Sequence, residues 1–547
     1  MGIVSETSAD ATPASAEPAV ASTYDAVPYS VCAFPQTRPD RLAAIPKLFG
    51  MNPALPARCR VLELGCASGG NVIPLALAYP QSRFVGIDLS SRQIDDASRT
   101  ARELNLSNVD LRAMSILDVG DDLGEFDYIL VHGVYSWVPP EVQDKILEIC
   151  SANLSAHGVA YVSYNAYPGW HARGAIREML WYHTQSIDDP VERIRLAREL
   201  VAFLAASTEN SRATSDGQPA VVADGGYGAL IRQELALLGR VPDSYLLHEH
   251  LEEFNEPLYF HQFVERAAAK DLQYLAEAQI GAMIPGRFGP EIEKTLRRIS
   301  PDLLHMEQYM DFLRNRMFRQ TLLCHADVEL ADSLQARAVE SLFIASAADP
   351  PAGVADLAPD VAVEFTGPAK LAFKTSDPLM KAALVTLSES WPLPISFQSL
   401  LDSARSRLAA ASIARDALEE SNLHTRILNA CIRGVIELTA SPPSYITTIA
   451  PKPVASPYAR LRARAESQVV NCRLESVRLG EPSRLVLGLL DGQHTVEQIV
   501  SAIIDWMKRT PTAASSEGSV ARSIEDRADE YVHKLLEALA SHAFLIA

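Results

Sequence analysis

The chain predicts an α/β protein: a Rossmann-like, doubly wound sheet, a mainly helical middle domain and a small mixed, winged-helix-like C-terminal domain. Three observations support this. Apolar strand candidates alternate with helical stretches from Arg60 to about Ser186, as a parallel sheet requires. The first strand candidate runs into a glycine-rich turn, Gly65-Cys66-Ala67-Ser68-Gly69-Gly70. A length of 547 residues exceeds one comfortable core, so two or three domains are expected.

Strands are expected at Arg60 to Leu64, Arg83 to Asp88, Val109 to Met114, Phe126 to Val131 and Val159 to Tyr164. A helix from Pro140 reaches about Asn153, and Ala156-His157-Gly158 makes the turn into the fifth strand. Pro190 to Ala206 reads as a further helix. The expected organisation is a disordered Ala/Ser/Pro-rich tail at 1–22, a cofactor-binding domain with an N-terminal lid at 23–206, and a polar linker at 207–226. A middle domain at 227–345, a second linker at 346–361 and a C-terminal domain at 362–547 follow. In the last of these, Thr495 and Gln498 suit a capping box, 510–519 reads as a flexible loop, and Ala528, Val532, Leu536 and Leu539 mark one face of a closing helix.

Composition narrows the function. A net charge of −19 argues against a nucleic-acid backbone as partner. No uncharged apolar run suggests a membrane span or a signal peptide. Seven scattered cysteines without a C-x-x-C pair point to reduced thiols in a cytoplasm and to no metal site. His248-Glu249-His250, with Glu252, Glu253 and His261, lacks H-E-x-x-H spacing and reads as the solvated face of a charged helix. Arg314, Arg316 and Arg319 read as partners for the chain's own acids.

The strand-turn-helix at Val61 to Asn71 lets backbone approach a nucleotide-like ligand, because glycine accepts positive φ. Asp88 ends the second strand where a ribose would lie, as an acceptor for both hydroxyls. Three details favour S-adenosylmethionine over a nicotinamide cofactor. Glu63 precedes the glycines, Asp118 follows the third strand within reach of an adenine amino group, and G-x-G-x-x-G spacing is missing. Expected cofactor contacts are Glu63, Gly65, Cys66, Ala67, Gly69, Asn71, Asp88, Leu89, Asp118 and His132. From the pre-sheet lid, which includes Tyr24-Asp25, the residues Gln36, Thr37 and Arg41 would meet the cofactor's carboxylate.

Aromatic residues crowd the ends of the fourth and fifth strands, where a methyl acceptor must enter. Methyl transfer from a sulfonium is an in-line displacement, so alignment and desolvation dominate. Tyr135, Trp137, Tyr164, Tyr167 and His132 are therefore the catalytic candidates, with His171 beside them; packing of the sheet rim is the competing use of each.

Phe34 to Thr37, Glu63 to Asn71, His132 to Pro140 and Tyr164 to Trp170 together resemble bacterial class I S-adenosylmethionine-dependent methyltransferases that carry a methyltransferase regulatory domain. The likeness continues through His248 to Tyr259 and Phe312 to Leu323, and into the C-terminal unit. It departs at Ala67, where a second glycine is commonest. The family includes rickettsial protein-lysine methyltransferases that modify surface proteins, so the resemblance implies a lysine side chain of a protein as acceptor. A small-molecule N- or O-methyltransferase and a cofactor-binding regulatory protein without turnover stand as alternatives. Nothing in the sequence indicates an oligomeric state.

Overall fold

The computed structural model describes residues 32–209, 226–353, 355–413, 422–510 and 523–547. The expected tail, Tyr24-Asp25, most of the 207–226 linker and most of the 510–519 loop lie outside these residues.

Strands β1 (Arg60–Leu64), β2 (Arg83–Asp88), β3 (Val109–Ala113), β4 (Phe126–Val131) and β5 (Leu154–Asn165) form where the pattern predicts them. All five run parallel, in the order β3-β2-β1-β4-β5. Side chains alternate across the sheet, as a period of two requires. Val61, Tyr128, Leu130 and Tyr161 enter one apolar cluster. Leu62, Ile129, Val131, Ala160 and Val162 enter the other. With both faces covered, the strands read as continuous apolar runs. The chain order reverses between β1 and β4, which opens the crevice in which ligands bind in such sheets.

Two features differ from expectation. Ala156-His157-Gly158 is no turn; it lies within β5 and is absorbed as a bulge, since Phe126 opposes Leu154 while Tyr128 opposes Val159. The middle segment is also not helices alone. It contributes β6 (Leu272–Glu277) and β7 (Phe318–His325), which continue the same sheet antiparallel, beyond β5. Short apolar runs between helices carry too little periodicity to separate a strand from a helix turn.

Beyond the sheet, helices Pro378–Ser390, Phe397–Ala410 and Leu423–Ile432 pack around a three-stranded sheet whose central strand is Phe343–Ala345. Their core is continuous with the pre-sheet helix Pro39–Lys47 through Leu42, Ile45 and Leu48. A separate cluster spans Ala455 to Leu545 and holds four helices and the hairpin Gln468–Val470/Ser476–Arg478. The Thr495–Gln498 capping box forms there, and Ala528, Val532, Leu536 and Leu539 are buried on one face of the closing helix. Among the described residues, no helix is long and apolar enough to cross a membrane.

Candidate cofactor and acceptor site

After β1 the backbone turns through left-handed conformations at Gly65 (φ +74°), Ala67 (φ +47°) and Gly69 (φ +74°). A Cβ on Gly65 would stand 2.5 Å from the Val134 side chain, so glycine is required there on two counts. Ala67 has no such freedom, and its conformation costs about 1–2 kcal/mol. Its N–H donates to the Asp88 carboxylate at 2.8 Å, which offsets that cost. The other Asp88 oxygen accepts the Ser90 N–H at 2.9 Å. Asp88 is thereby the clamp between the glycine turn and the end of β2.

Glu63 is buried behind this turn. One carboxylate oxygen accepts from the Asn71 amide at 3.1 Å, while the other has no hydrogen-bond partner among the described residues. Burial pushes the carboxyl up to about 8, against the lowering effect of Asn71. The Asn71 carbonyl accepts the Phe34 N–H and the Thr37 hydroxyl, each at 3.1 Å, so the pre-sheet segment is stapled onto the turn. An orphaned buried acid, a clamped ribose-type aspartate and a backbone cradle closed to side chains fit a cationic adenosine cofactor.

These residues line a continuous cavity of about 690 Å³. At one end stand Phe34, Glu63, Asp88, Leu89, Ser115 and Ile116; at the other stand Trp137, Trp170, Arg173, Tyr245, His248 and Glu249. Of the expected cofactor contacts, Glu63, Gly65, Cys66, Ala67, Asn71, Asp88, Leu89 and His132 line the cavity. Gly69 shapes the turn from behind: a Cβ there would meet Ile73 at 2.6 Å. Thr37 acts through Asn71, and Gln36 sits beside the Tyr161 hydroxyl.

Arg41 and Asp118 lie elsewhere. Arg41 faces a second cavity. Asp118 is exposed, because Ser115 caps a short turn, accepting the Leu117 N–H at 3.1 Å, that leaves Ser115 and Ile116 on the cavity.

The aromatic candidates divide. Trp137 lines the cavity, edge-on to Trp170 with centroids 6.0 Å apart. Tyr135 and Tyr164 are buried against Phe263, at 5.3 and 4.2 Å between centroids, and neither lines the cavity. Alternation along β5 and the short turn after β4 direct both rings into the core beneath helix Phe260–Ala268. Tyr167 stacks on His171 at 4.0 Å, also off the cavity. His132 lines it, with Phe34 over its ring at 3.7 Å and its Nδ1 2.8 Å from the Tyr161 hydroxyl. Burial lowers its pKa to about 3, so the imidazole is neutral and too weakly basic to deprotonate an ammonium.

The acceptor end corrects one sequence reading. Helix Asp243–His250 is not a solvated face: His248 and His250 are buried, His248 bonded to Glu252 at 2.8 Å and His250 to Glu234 at 2.6 Å. Arg173 lies over the Trp170 ring at 5.2 Å and bonds the Tyr245 hydroxyl at 2.8 Å. Glu249 is 3.9 Å from Arg173, and burial raises its carboxyl pKa. Arg173, Tyr245 and Glu249 were not among the expected site residues. The only sequence signal was the density of titratable residues in that helix. Among the described residues no group of three or more His, Cys, Asp or Glu side chains is placed to hold a metal ion. Arg316 and Arg319 do pair with the chain's own acids: Glu277 bridges both, and Asp311 and Glu307 bond Arg319 at 2.8 and 3.0 Å.

Comparison with known proteins agrees with this architecture. Residues 61–158 match "Methyltransferase domain", 242–325 match "Predicted methyltransferase regulatory domain", and 451–544 match "PKMT, C-terminal winged helix domain". An uncharacterized protein of Rickettsia prowazekii is 34% identical over 523 residues, covering 94% of this chain and 91% of its own. The solved structure of PKMT2 from Rickettsia typhi superposes with a TM-score of 0.82 at 32% identity, covering 95% of this chain and all of that one, and it is also solved in complex with AdoHcy. With this likeness running through all three parts, and a turn built for the cofactor, the chain belongs to the PKMT family of class I S-adenosylmethionine-dependent methyltransferases.

Proposed function

We propose that the protein transfers the methyl group of S-adenosylmethionine to a lysine side chain of a protein substrate. The observation that carries this reading is the single cavity joining the glycine turn to an aromatic and acidic far end. The name of the rickettsial relative, PKMT2, supports a protein acceptor.

When bound, S-adenosylmethionine supplies a sulfonium-activated methyl group. Asp88 would hold the ribose, and the unpaired oxygen of Glu63 would answer positive charge on the methionine side. Phe34 and the neutral His132 exclude water between the two ends. Trp137 and Trp170 offer π-faces that attract an amine in its cationic state. Glu249, with its raised proton affinity, is the group at that end suited to accept the lysine proton. Free thiols at all seven cysteines support a reducing, cytoplasmic setting.

The test is incubation with methyl-labelled cofactor and a lysate, followed by mass spectrometry. Label on protein lysine is the expected result. Label confined to small molecules would point to a small-molecule N- or O-methyltransferase; no label anywhere would leave a cofactor-binding regulatory protein.

A further inference from the structure

A second cavity, of about 830 Å³, lies across Met317 and Phe318, which line both cavities. Four arginines face it: Arg41, Arg287, Arg314 and Arg316. Its single lining acid, Glu437, is already held by two bonds from Arg473, at 2.9 and 3.1 Å. Arg316 is satisfied by Glu277 and Asp311. Among the described residues none of the other three guanidiniums forms an ion pair, although Glu437 attracts Arg41 and Glu307 and Asp311 attract Arg314 at longer range. Arg314 donates to the Ala282 carbonyl and lies over the Phe288 ring at 4.6 Å. Arg41 and Arg287 make no side-chain hydrogen bond or ion pair among the described residues. Burial and the charges of Arg316 and Arg287 disfavour the Arg314 cation, and Glu307 and Asp311 offset this only in part.

In a chain with 68 acids against 49 bases, arginines have abundant partners. Three outside any ion pair, converging on a cavity lined by four arginines and one acid, leave an excess of positive charge there. The remaining wall is apolar, with Ile45, Leu48, Ile280, Phe288, Ile432 and Leu438. The volume falls in the range of small-molecule sites, roughly 300–1,000 Å³. Guanidinium forks match the planar or tetrahedral oxygens of carboxylates and phosphates.

We propose that this cavity binds a small organic anion, a carboxylate or phosphate ester carrying an apolar body. The site is separate from the cofactor's, and its assignment does not depend on the identity of the methyl acceptor.

The test is calorimetric titration of 1-naphthyl phosphate and of 1-naphthoate into the full chain, with S-adenosylhomocysteine saturating throughout so that the cofactor site is filled. We expect saturable one-site binding of at least one anion, and the better-bound one identifies the headgroup. The double variant Arg41→Gln/Arg287→Gln should weaken that binding at least tenfold, and uncharged 1-naphthol should show no saturable heat. Because neither side chain makes a hydrogen bond or ion pair among the described residues, the variant's melting temperature should match the parent's. If it does not, Arg287→Gln alone, at an exposed residue, gives the same comparison with a loss of threefold or more. Silence from both anions, equal binding of 1-naphthol, or unchanged affinity in the variants overturns the proposal.

Discussion

The two ends of the main cavity are built in opposite ways. The cofactor end comes from short stretches, 63–71, 88–93 and 115–116, each at the carboxyl end of a strand. The acceptor end joins Trp137 and Trp170 to a helix that begins at Asp243, so side chains more than seventy positions apart must meet. One end depends on backbone conformation and one clamp; the other depends on packing between segments. Damage at the first should therefore abolish cofactor binding, and damage at the second should spare it.

The largest expected effect is at Asp88. Replacement by alanine removes the acceptor for the Ala67 and Ser90 N–H groups and, with it, the proposed ribose partner. Hydrogen bonds to a charged group are worth about 1.5–3 kcal/mol each. Affinity for S-adenosylhomocysteine, read by calorimetry, should fall by roughly a hundredfold or more, at about 1.4 kcal/mol per tenfold. An unchanged dissociation constant would remove Asp88 from the site.

The complementary substitution is Glu249→Gln. It keeps the shape of the acceptor end but takes away the carboxylate beside Arg173 that we propose accepts the proton. Methylation of a protein substrate should slow by about a hundredfold, the low end for general-base removal, and the affinity for S-adenosylhomocysteine should stay within about twofold. A parallel loss in both quantities would show that the two ends are not separable.

The same contrast explains what the sequence revealed. The five parallel strands, the glycine turn and the acid ending the second strand were legible because each carries a local signature, an apolar run or a cluster of glycines, although their pairing is long-range. Asp118 was less legible: the strand end was placed well, but the acid is exposed on the short turn that Ser115 caps, off the cavity lining. Tyr135 and Tyr164 looked equivalent to Trp137 in sequence, and only their register against Phe263 separates packing rings from a lining one. β6 and β7 were missed because β7 pairs with β5, and β6 with β7, across long stretches of sequence. Arg173 and Glu249 were missed because nothing local marks a helix face as buried.

Glu63 sharpens the comparison from within the cofactor end. Its carboxyl lies near 8 in the fold against an ordinary value of 4.5. Between these values the folded chain holds a proton that the unfolded chain releases, so stability is fullest below pH 4.5 and declines as pH rises through 8. Glu63→Gln carries a permanent neutral amide and should remove this share of the decline. Comparing melting temperatures at pH 5.5 and pH 8, we expect the variant's drop to be smaller by a few degrees. Equal drops would mean that Glu63 is ionised throughout, already paired with a charge.

The smallest effect is expected at Tyr164, and it decides whether the aromatic set truly divides. Tyr164 stacks on Phe263 at 4.2 Å, and among the described residues its hydroxyl bonds only the Thr321 hydroxyl, at 3.3 Å. Phenylalanine keeps the ring and gives up one weak bond, worth about 0.5–1.5 kcal/mol at most. Turnover and S-adenosylhomocysteine affinity should both stay within about twofold. Tyr164→Ala instead opens a cavity under the sheet and should cost about 3–5 kcal/mol of stability, by analogy with other large aromatic truncations in cores. A catalytic tyrosine gives the reverse order, with the phenylalanine variant stable but slow. Measuring both variants for melting temperature and turnover therefore distinguishes a ring that supports the acceptor end from a hydroxyl that works in it.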